Sequence, residues 1–379
     1  MRVAINAWFW DDLTAGSGQY TRRLVEHLAA VEPDLELLLV APQGQGFQCS
    51  RFAPHVSRIT QPGAGNLGKV WFEQVTFPRA CRRLSADVAH VPYWAPPLHP
   101  SIPTVVTIHD LIPLLLREYR GGPLVRFYTA LVSATAQNAA LALTDSEASR
   151  RDILTHLHLP PERVRAIPLA TDARYYPEPE PEDAAIRARH GLSDRYVLYL
   201  GGFDVRKNVS TVLATYRWAG PAIGKECPLV IAGRLPERDT AFAPDPRRLA
   251  REQGVDESFV HFVSPVDETD KPALYRGAVA FIFPSRYEGF GLPPLEALAC
   301  GTPVVGSDVA SVPEVVGNAG VLLPPDDAEG MAGALIQLAI DEEFRAEMNR
   351  RALAQAARFS WERAAQETLA AYRVVVRQV

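Results

Sequence analysis

Phe283–Asp308 reads FPSRYEGFGLPPLEALACGTPVVGSD. Its start closes an apolar run, Val279–Phe283, with the length and composition of a buried strand. Glu288-Gly289-Phe290-Gly291 follows as a glycine-rich turn, and Pro293-Pro294 opens a helix, where proline's missing amide costs nothing. Glycine lets backbone come close to a ligand, and the amides and dipole of a helix start favour an anion. Glu296 is expected in the first turn of that helix, eight positions after Glu288. Two carboxylates beside such a cradle suit hydroxyl groups flanking a diphosphate. Singly, Glu296 reads as an acid complementing the helix dipole and Glu288 as a surface residue. Their combination with the glycine turn and PPLEALACGTPVV points to a ligand.

Outward from this stretch, short apolar runs alternate with amphipathic segments. Strands are expected at Val3–Asn6, Leu37–Val40, Val88–His90, Thr104–Ile108 and Leu141–Thr144. The second half offers Tyr196–Leu200, Leu229–Ala232, Val260–Phe262, Val279–Phe283 and Val304–Gly306. Strand–helix alternation means parallel sheets joined by right-handed crossovers. Asp172–Glu182, DARYYPEPEPE, has no period and reads as a linker. Each half opens with strand, glycine turn and helix: RVAIN…GSGQYTRRLVEHL, then YVLYLGGFDVRKNVSTVLATY. The 379 residues therefore form two doubly wound α/β domains, residues 1–172 and 173–359, with a capped helix within 360–379. Ligands of such sheets bind at the carboxyl ends of the strands.

Glu288, seven intervening residues and Glu296, within YEGFGLPPLEALACGTPVV, resemble the E-x7-E signature of retaining glycosyltransferase family 4. The resemblance spans nearly the whole chain. It implies the GT-B fold, two Rossmann-like domains facing each other across a cleft, and transfer of a hexose from a nucleotide diphosphate sugar. HFVSPVDETDKPALYRGAVAFIFPS is similar to the family segment whose loop holds the base, which puts Val266 there. LGGFDVRKNVSTVLATY is similar to the strand–loop–helix that opens the donor domain, and Lys207 falls on its diphosphate-binding lysine. Many relatives carry an arginine where this chain has Gly202; Arg206 either replaces it or faces solvent. The amides of Gly289, Phe290, Gly291 and Leu292 join the diphosphate, Glu296 takes the ribose, and Glu288 the hydroxyls of the sugar.

In the first half, GSGQYTRRL resembles the family's glycine loop, so Gly16 and Gly18 bring amides to the donor. A dinucleotide fingerprint is the competitor, weakened by Thr21 at its third glycine position. TVVTIHDLIPL places His109 after a strand, where the family's histidine reaches the transferred sugar; a satisfied structural histidine is the alternative. Tyr93 and Trp94 suit either acceptor stacking or the core. GAGNLGK, Gly63–Lys69, imitates a phosphate-binding loop but has Val70 where Ser or Thr is needed.

The formal net charge of -5 argues against a nucleic-acid partner. Arg79, Arg82 and Arg83 form a local basic group that reads first as a solvated face. Cys49, Cys81, Cys227 and Cys300 make no paired motif, no Asp-x-Asp occurs, and no metal or cofactor is expected. With no signal-peptide pattern, a cytoplasmic location is expected, peripheral contact with the inner membrane face being left open. The acceptor class is a saccharide or a lipid-linked saccharide. The RKN and SEASRRD variants resemble bacterial surface-polysaccharide mannosyltransferases, which favours GDP-mannose over a UDP-sugar. A GT-B sugar-nucleotide epimerase and a non-catalytic sugar-nucleotide-binding subunit are the other readings.

Overall fold

The computed structural model describes residues 1–12, 16–43, 56–62 and 65–378; Cys49 and the first two residues of GAGNLGK lie outside them. The chain divides into two compact units: 1–169 with 360–379, and 170–359.

Unit 1 holds seven parallel strands: β1 (Arg2–Asn6), β2 (Glu36–Pro42), β3 (Val56–Gln61), β4 (Val88–Val91), β5 (Thr104–Thr107), β6 (Leu141–Thr144) and β7 (Val164–Ala166). Their order is β3-β2-β1-β4-β5-β6-β7. Register runs Val3 opposite Leu37 on one side and Val88 on the other. Unit 2 has six: β8 (Tyr196–Leu200), β9 (Leu229–Ala232), β10 (Val260–Val263), β11 (Ala278–Phe283), β12 (Val304–Ser307) and β13 (Gly320–Leu323), ordered β10-β9-β8-β11-β12-β13. Both sheets run outward in both directions from their first strand, the doubly wound arrangement of a Rossmann fold. The switch points fall between β1 and β4 and between β8 and β11.

Central strands are continuous apolar runs because helices cover both faces. β8, YVLYL, is buried throughout, its odd residues packing with the helix Val209–Ile223 and its even ones with Phe281 and Leu298. β3, β7 and β13 were not expected from sequence. All are edge strands, and the first two carry Arg58 and Arg165 within short runs that periodicity passes over.

The stretch read as a linker has no regular structure, yet it is anchored to unit 2. Tyr175 packs edge-on against Tyr275, ring centroids 5.9 Å apart, and Arg276 donates to Tyr176 O at 3.3 Å. Proline and acid concealed Tyr175, which is buried. The helix Trp361–Arg377 lies against the opening helix Gly16–Val31: Trp361 stacks on His27, and Arg373 pairs with Glu32. Its cap is Ser360, whose side chain accepts from Arg363 N, worth about 1 kcal/mol.

Candidate active site

In unit 2 the switch point is built by two loops. β11 runs into residues 284–291, and buried hydroxyls fix that turn: Ser307 Oγ donates to Ser285 O at 2.5 Å, and Ser311 Oγ reaches the carbonyls of Glu288 (2.9 Å) and Phe290 (2.5 Å). β8 leads into the 3-10 turn Val205–Lys207, so Lys207 stands just before the helix Val209–Ile223. Asn208, at φ +54°, makes the corner, and its side-chain amide donates to Pro325 O at 2.7 Å. The loops are joined by Arg286 N donating to Arg206 O at 2.8 Å.

Glu288 points into this junction and is 8% exposed. Lys207 Nζ lies 2.7 Å from one carboxylate oxygen and the Arg206 guanidinium 2.6 Å from the other; Ser285 Oγ donates at 2.6 Å. Burial alone would raise its pKa, but the two cations and the hydroxyl hold it below the ordinary carboxylate value. Arg206 therefore turns inward, and also donates to Tyr287 O at 2.9 Å. Lys207 Nζ stands 5.2 Å from the centre of the Phe283 ring.

Gly291 adopts φ +115°, a conformation L side chains rarely take, and opens the helix Leu292–Ala299. No side chain caps this helix. Because Pro293 and Pro294 lack amides, the donors at its mouth are confined to residues up to Leu292. The expectation for Glu296 is corrected here: with Leu292 first, Glu296 is the fifth residue and lies beyond the first turn, which carries no acid. Gly291 sets the start one residue before the prolines. Glu296 faces two aromatics. Tyr275 Oη donates to it at 3.0 Å, Tyr175 also hydrogen-bonds to it, and burial pushes its pKa up to about 7. Val266, half-buried after β10, packs on the same core as Tyr275 and Phe283.

In unit 1, His109 follows β5. Its Nδ1 lies 2.7 Å from Asp145 Oδ2 and its Nε2 3.3 Å from Pro92 O. Tyr20 meets the ring edge-to-face at 4.8 Å, and Ser149 Oγ donates to the His109 carbonyl at 3.1 Å. Burial would lower the imidazole pKa, but the Asp145 carboxylate more than offsets it and the value is raised. Hydrogen bonds continue behind Tyr20: its hydroxyl to Thr107 (3.1 Å), Thr107 to His90 Nε2 (2.8 Å), and His90 Nδ1 to Tyr372 Oη (2.6 Å) on the last helix. Burial drops His90 to about 3, so that ring is neutral.

Gly16 begins the opening helix with open space beside its Cα. At Gly18 a Cβ would come within 2.4 Å of the carbonyls of Phe9 and Asp12, so packing on its own loop already requires glycine there. Tyr93 is a core residue, set edge-on to Phe9. Lys69 of GAGNLGK is engaged by Glu73 at 2.6 Å and Tyr128 at 2.6 Å.

Sequence reading brought Lys207, Arg206 and Glu288 forward, and they meet. It missed Asp145, Ser285, Ser311, Tyr175 and Tyr275. A signal existed for Asp145: it directly follows β6, the neighbour of β5, and so stands beside the residue that follows β5. Among the described residues no group of His, Cys, Asp or Glu could hold a metal ion, and no helix is long and apolar enough to cross a membrane.

Comparison with known proteins places this arrangement. Residues 182–355 match the family described as Glycosyl transferases group 1, and residues 14–175 match Glycosyltransferase Family 4. The chain is 31% identical over 376 residues to the O-antigen chain mannosyltransferase B of Escherichia coli, covering 95% of this chain and 96% of that one. Sucrose-phosphate synthase from Thermosynechococcus elongatus superposes with a TM-score of 0.75 at 22% identity, each chain covered completely. The Anabaena protein HepE, solved in complex with UDP and glucose, gives 0.73 at 17%, with 98% of each chain covered. These structures share the GT-B fold. The chain belongs to glycosyltransferase family 4 and is a glycosyltransferase.

Proposed function

We propose that the enzyme transfers mannose from GDP-mannose, with retention of anomeric configuration and without a metal ion, to a saccharide or lipid-linked acceptor in polysaccharide assembly. The observation that carries this reading is the buried Glu288 carboxylate held between Lys207 and Arg206 beside an uncapped helix start. Two cations and a set of amides suit a diphosphate, whose negative charge grows as the glycosidic bond breaks. Donors already aimed at developing charge are the largest catalytic contribution in such sites. Arg206 then supplies the charge that many relatives place at the position of Gly202. Glu288 hydrogen-bonds the sugar hydroxyls, and Ser285 keeps it oriented.

Glu296 accepts from the ribose hydroxyls, the amides of Gly289 to Leu292 hold the diphosphate, and Val266 lies along the base. On unit 1, His109 donates to a hydroxyl of the transferred sugar, with Asp145 fixing its ring, and Gly16 and Gly18 offer amides. The sugar follows from likeness to the Escherichia coli mannosyltransferase over nearly both lengths.

The test is a donor panel with thermal shift and product analysis in EDTA. GDP-mannose at 100 times its dissociation constant should stabilise the protein by about 2.7 kcal/mol. The transferred mannose should keep the α configuration, and chelator should leave the rate unchanged. Stabilisation by UDP-sugars alone refutes the donor, a β-linked product refutes retention, and loss restored by manganese refutes the metal-free reaction.

A further inference from the structure

Asn208 ends the RKN triplet and stands at the start of the helix Val209–Ile223, where an asparagine ordinarily accepts a hydrogen bond from the first free amides of the helix. Its side chain makes no such bond. It is 4% exposed and turned the other way. Nδ2 donates to Pro325 O at 2.7 Å and to Asp326 Oδ1 at 3.2 Å, and Oδ1 accepts from the Arg286 guanidinium at 3.3 Å. One carboxamide thus joins the loops that follow β8, β11 and β13. The backbone here, at φ +54°, lies in the left-handed region that asparagine and glycine tolerate better than other residues.

Both ends of this bridge are anchored. Next to Pro325 and Asp326, Asp327 caps the helix Ala328–Ile340 by accepting from Gly330 N at 2.9 Å. That helix shares a core with Val209–Ile223 through Met331, Leu335, Val212 and Tyr216. At the other end Arg286 spans the lysine: its amide donates to Arg206 O at 2.8 Å, and its guanidinium reaches Asn208. The residues on both sides of Lys207 are therefore tied to the loop that carries Glu288. Asp326 closes the ring by pairing with Arg286 at 2.7 Å, but those side chains are 52% and 63% exposed, and a pair so open to water counts for little by itself. The buried amide is the member that fixes where the cations sit.

We infer that Asn208 is a positioning residue: through Pro325, Asp326 and Arg286 it holds the turn bearing Arg206 and Lys207 at the distance from the Glu288 loop that the departing diphosphate needs. This rests on the assignment of the two cations to that diphosphate. Asn208→Gly keeps the left-handed backbone and removes the amide. Its kcat should fall by about tenfold, as for other partners that orient a functional side chain, with KM for GDP-mannose changed by about twofold at most, because misplaced donors lose most where the charge is greatest. The second readout is the acid limb of the kcat/KM profile. Lys207 and Arg206 keep Glu288 ionised, with Ser285 and Tyr199 beside it and Asp204 3.7 Å beyond Arg206. Once the turn drifts, the Glu288 pKa rises and the acid limb moves to higher pH; a variant that only folded less well would leave the limb in place. Asn208→Asp sets two carboxylates together and should be at least as slow as Asn208→Gly. Adding Asp326→Asn exchanges donor and acceptor between the two positions and should recover most of the rate. An unmoved acid limb, or a double variant no faster than Asn208→Asp, overturns the inference. Wild-type kinetics in Asn208→Gly beside a crippled Lys207→Ala overturn it alone, whereas wild-type kinetics in both overturn the assignment of the cations with it.

Discussion

Glu288, buried, and His109, half-buried, are ionisable groups that each follow a parallel strand, and the two units stabilise them differently. Around Glu288 the partners are themselves charged: Lys207 and Arg206 approach within 2.7 Å and 2.6 Å. Around His109 one carboxylate does the charge work, and an aromatic edge, a serine and a chain of neutral hydroxyls and rings hold the geometry. A cluster of opposite charges can exchange partners when a diphosphate arrives, Lys207 and Arg206 shifting from Glu288 to phosphate oxygens. A clamped ring keeps one orientation. The first arrangement suits a charged, changing ligand portion, and the second a neutral sugar.

The largest effects should fall on the cation side. Lys207→Ala is expected to lower kcat by about two to three orders of magnitude, the scale of removing one preorganised donor. Arg206→Ala should cost about tenfold or more by the same reasoning. Steady-state kinetics with GDP-mannose checks both; an Arg206→Ala enzyme with wild-type kinetics would show that the amides carry what the lysine does not.

On the histidine side, Asp145→Asn should lower kcat by about tenfold, as for other partners that orient a functional side chain, with KM for the donor little changed. Asp145 raises the imidazole pKa, so its neutralisation lowers it, and the high-pH limb of the kcat profile should move to lower pH. A pH profile that keeps its position while kcat falls would reduce Asp145 to a folding role.

The smallest effect separates the two carboxylates of unit 2. Glu288 is held ionised, whereas Glu296 is pushed up to about 7. A raised folded pKa contributes stability below the unfolded value near 4.5 that is lost as pH rises through 7. Glu296→Gln should therefore raise Tm by a few degrees at pH 8 and leave it nearly unchanged at pH 5. An equal change at both pH values would mean that the hydrogen bonds from Tyr175 and Tyr275, and not ionisation, set the difference.

The same contrast governs what a sequence discloses. Unit 2's pocket draws on two contiguous stretches, Gly201–Asn208 and Phe283–Glu296, in which glycine, proline and charge stand at fixed spacing. The meeting of Lys207, Arg206 and Glu288 could be read there, whereas the helix register that moved Glu296 out of the first turn, and the contacts from Ser311, Tyr175 and Tyr275 outside both stretches, could not. The surroundings of His109 come from Tyr20, His90, Thr107, Asp145 and Tyr372, separated by tens to hundreds of positions and joined only by strand order. No local pattern distinguishes Asp145 from an acid that opens a helix. Three of the four edge strands, β3, β7 and β13, were missed for a related reason, β10 being expected: at an edge, short runs that alternation does not pick out suffice.

The return of residues 360–379 to unit 1 carries a consequence for biosynthesis. Unit 2 is one uninterrupted stretch, 170–359, so all of it precedes the helix Trp361–Arg377 both in synthesis and in leaving the ribosome. Unit 1 begins earlier and is completed later, for the face of its opening helix that receives Trp361, and the His90 ring that meets Tyr372, wait for the last segment. Domains generally fold as units while the chain is being extended. Unit 2 can thus close while the histidine-bearing unit is still uncovered on the face of its opening helix that receives Trp361.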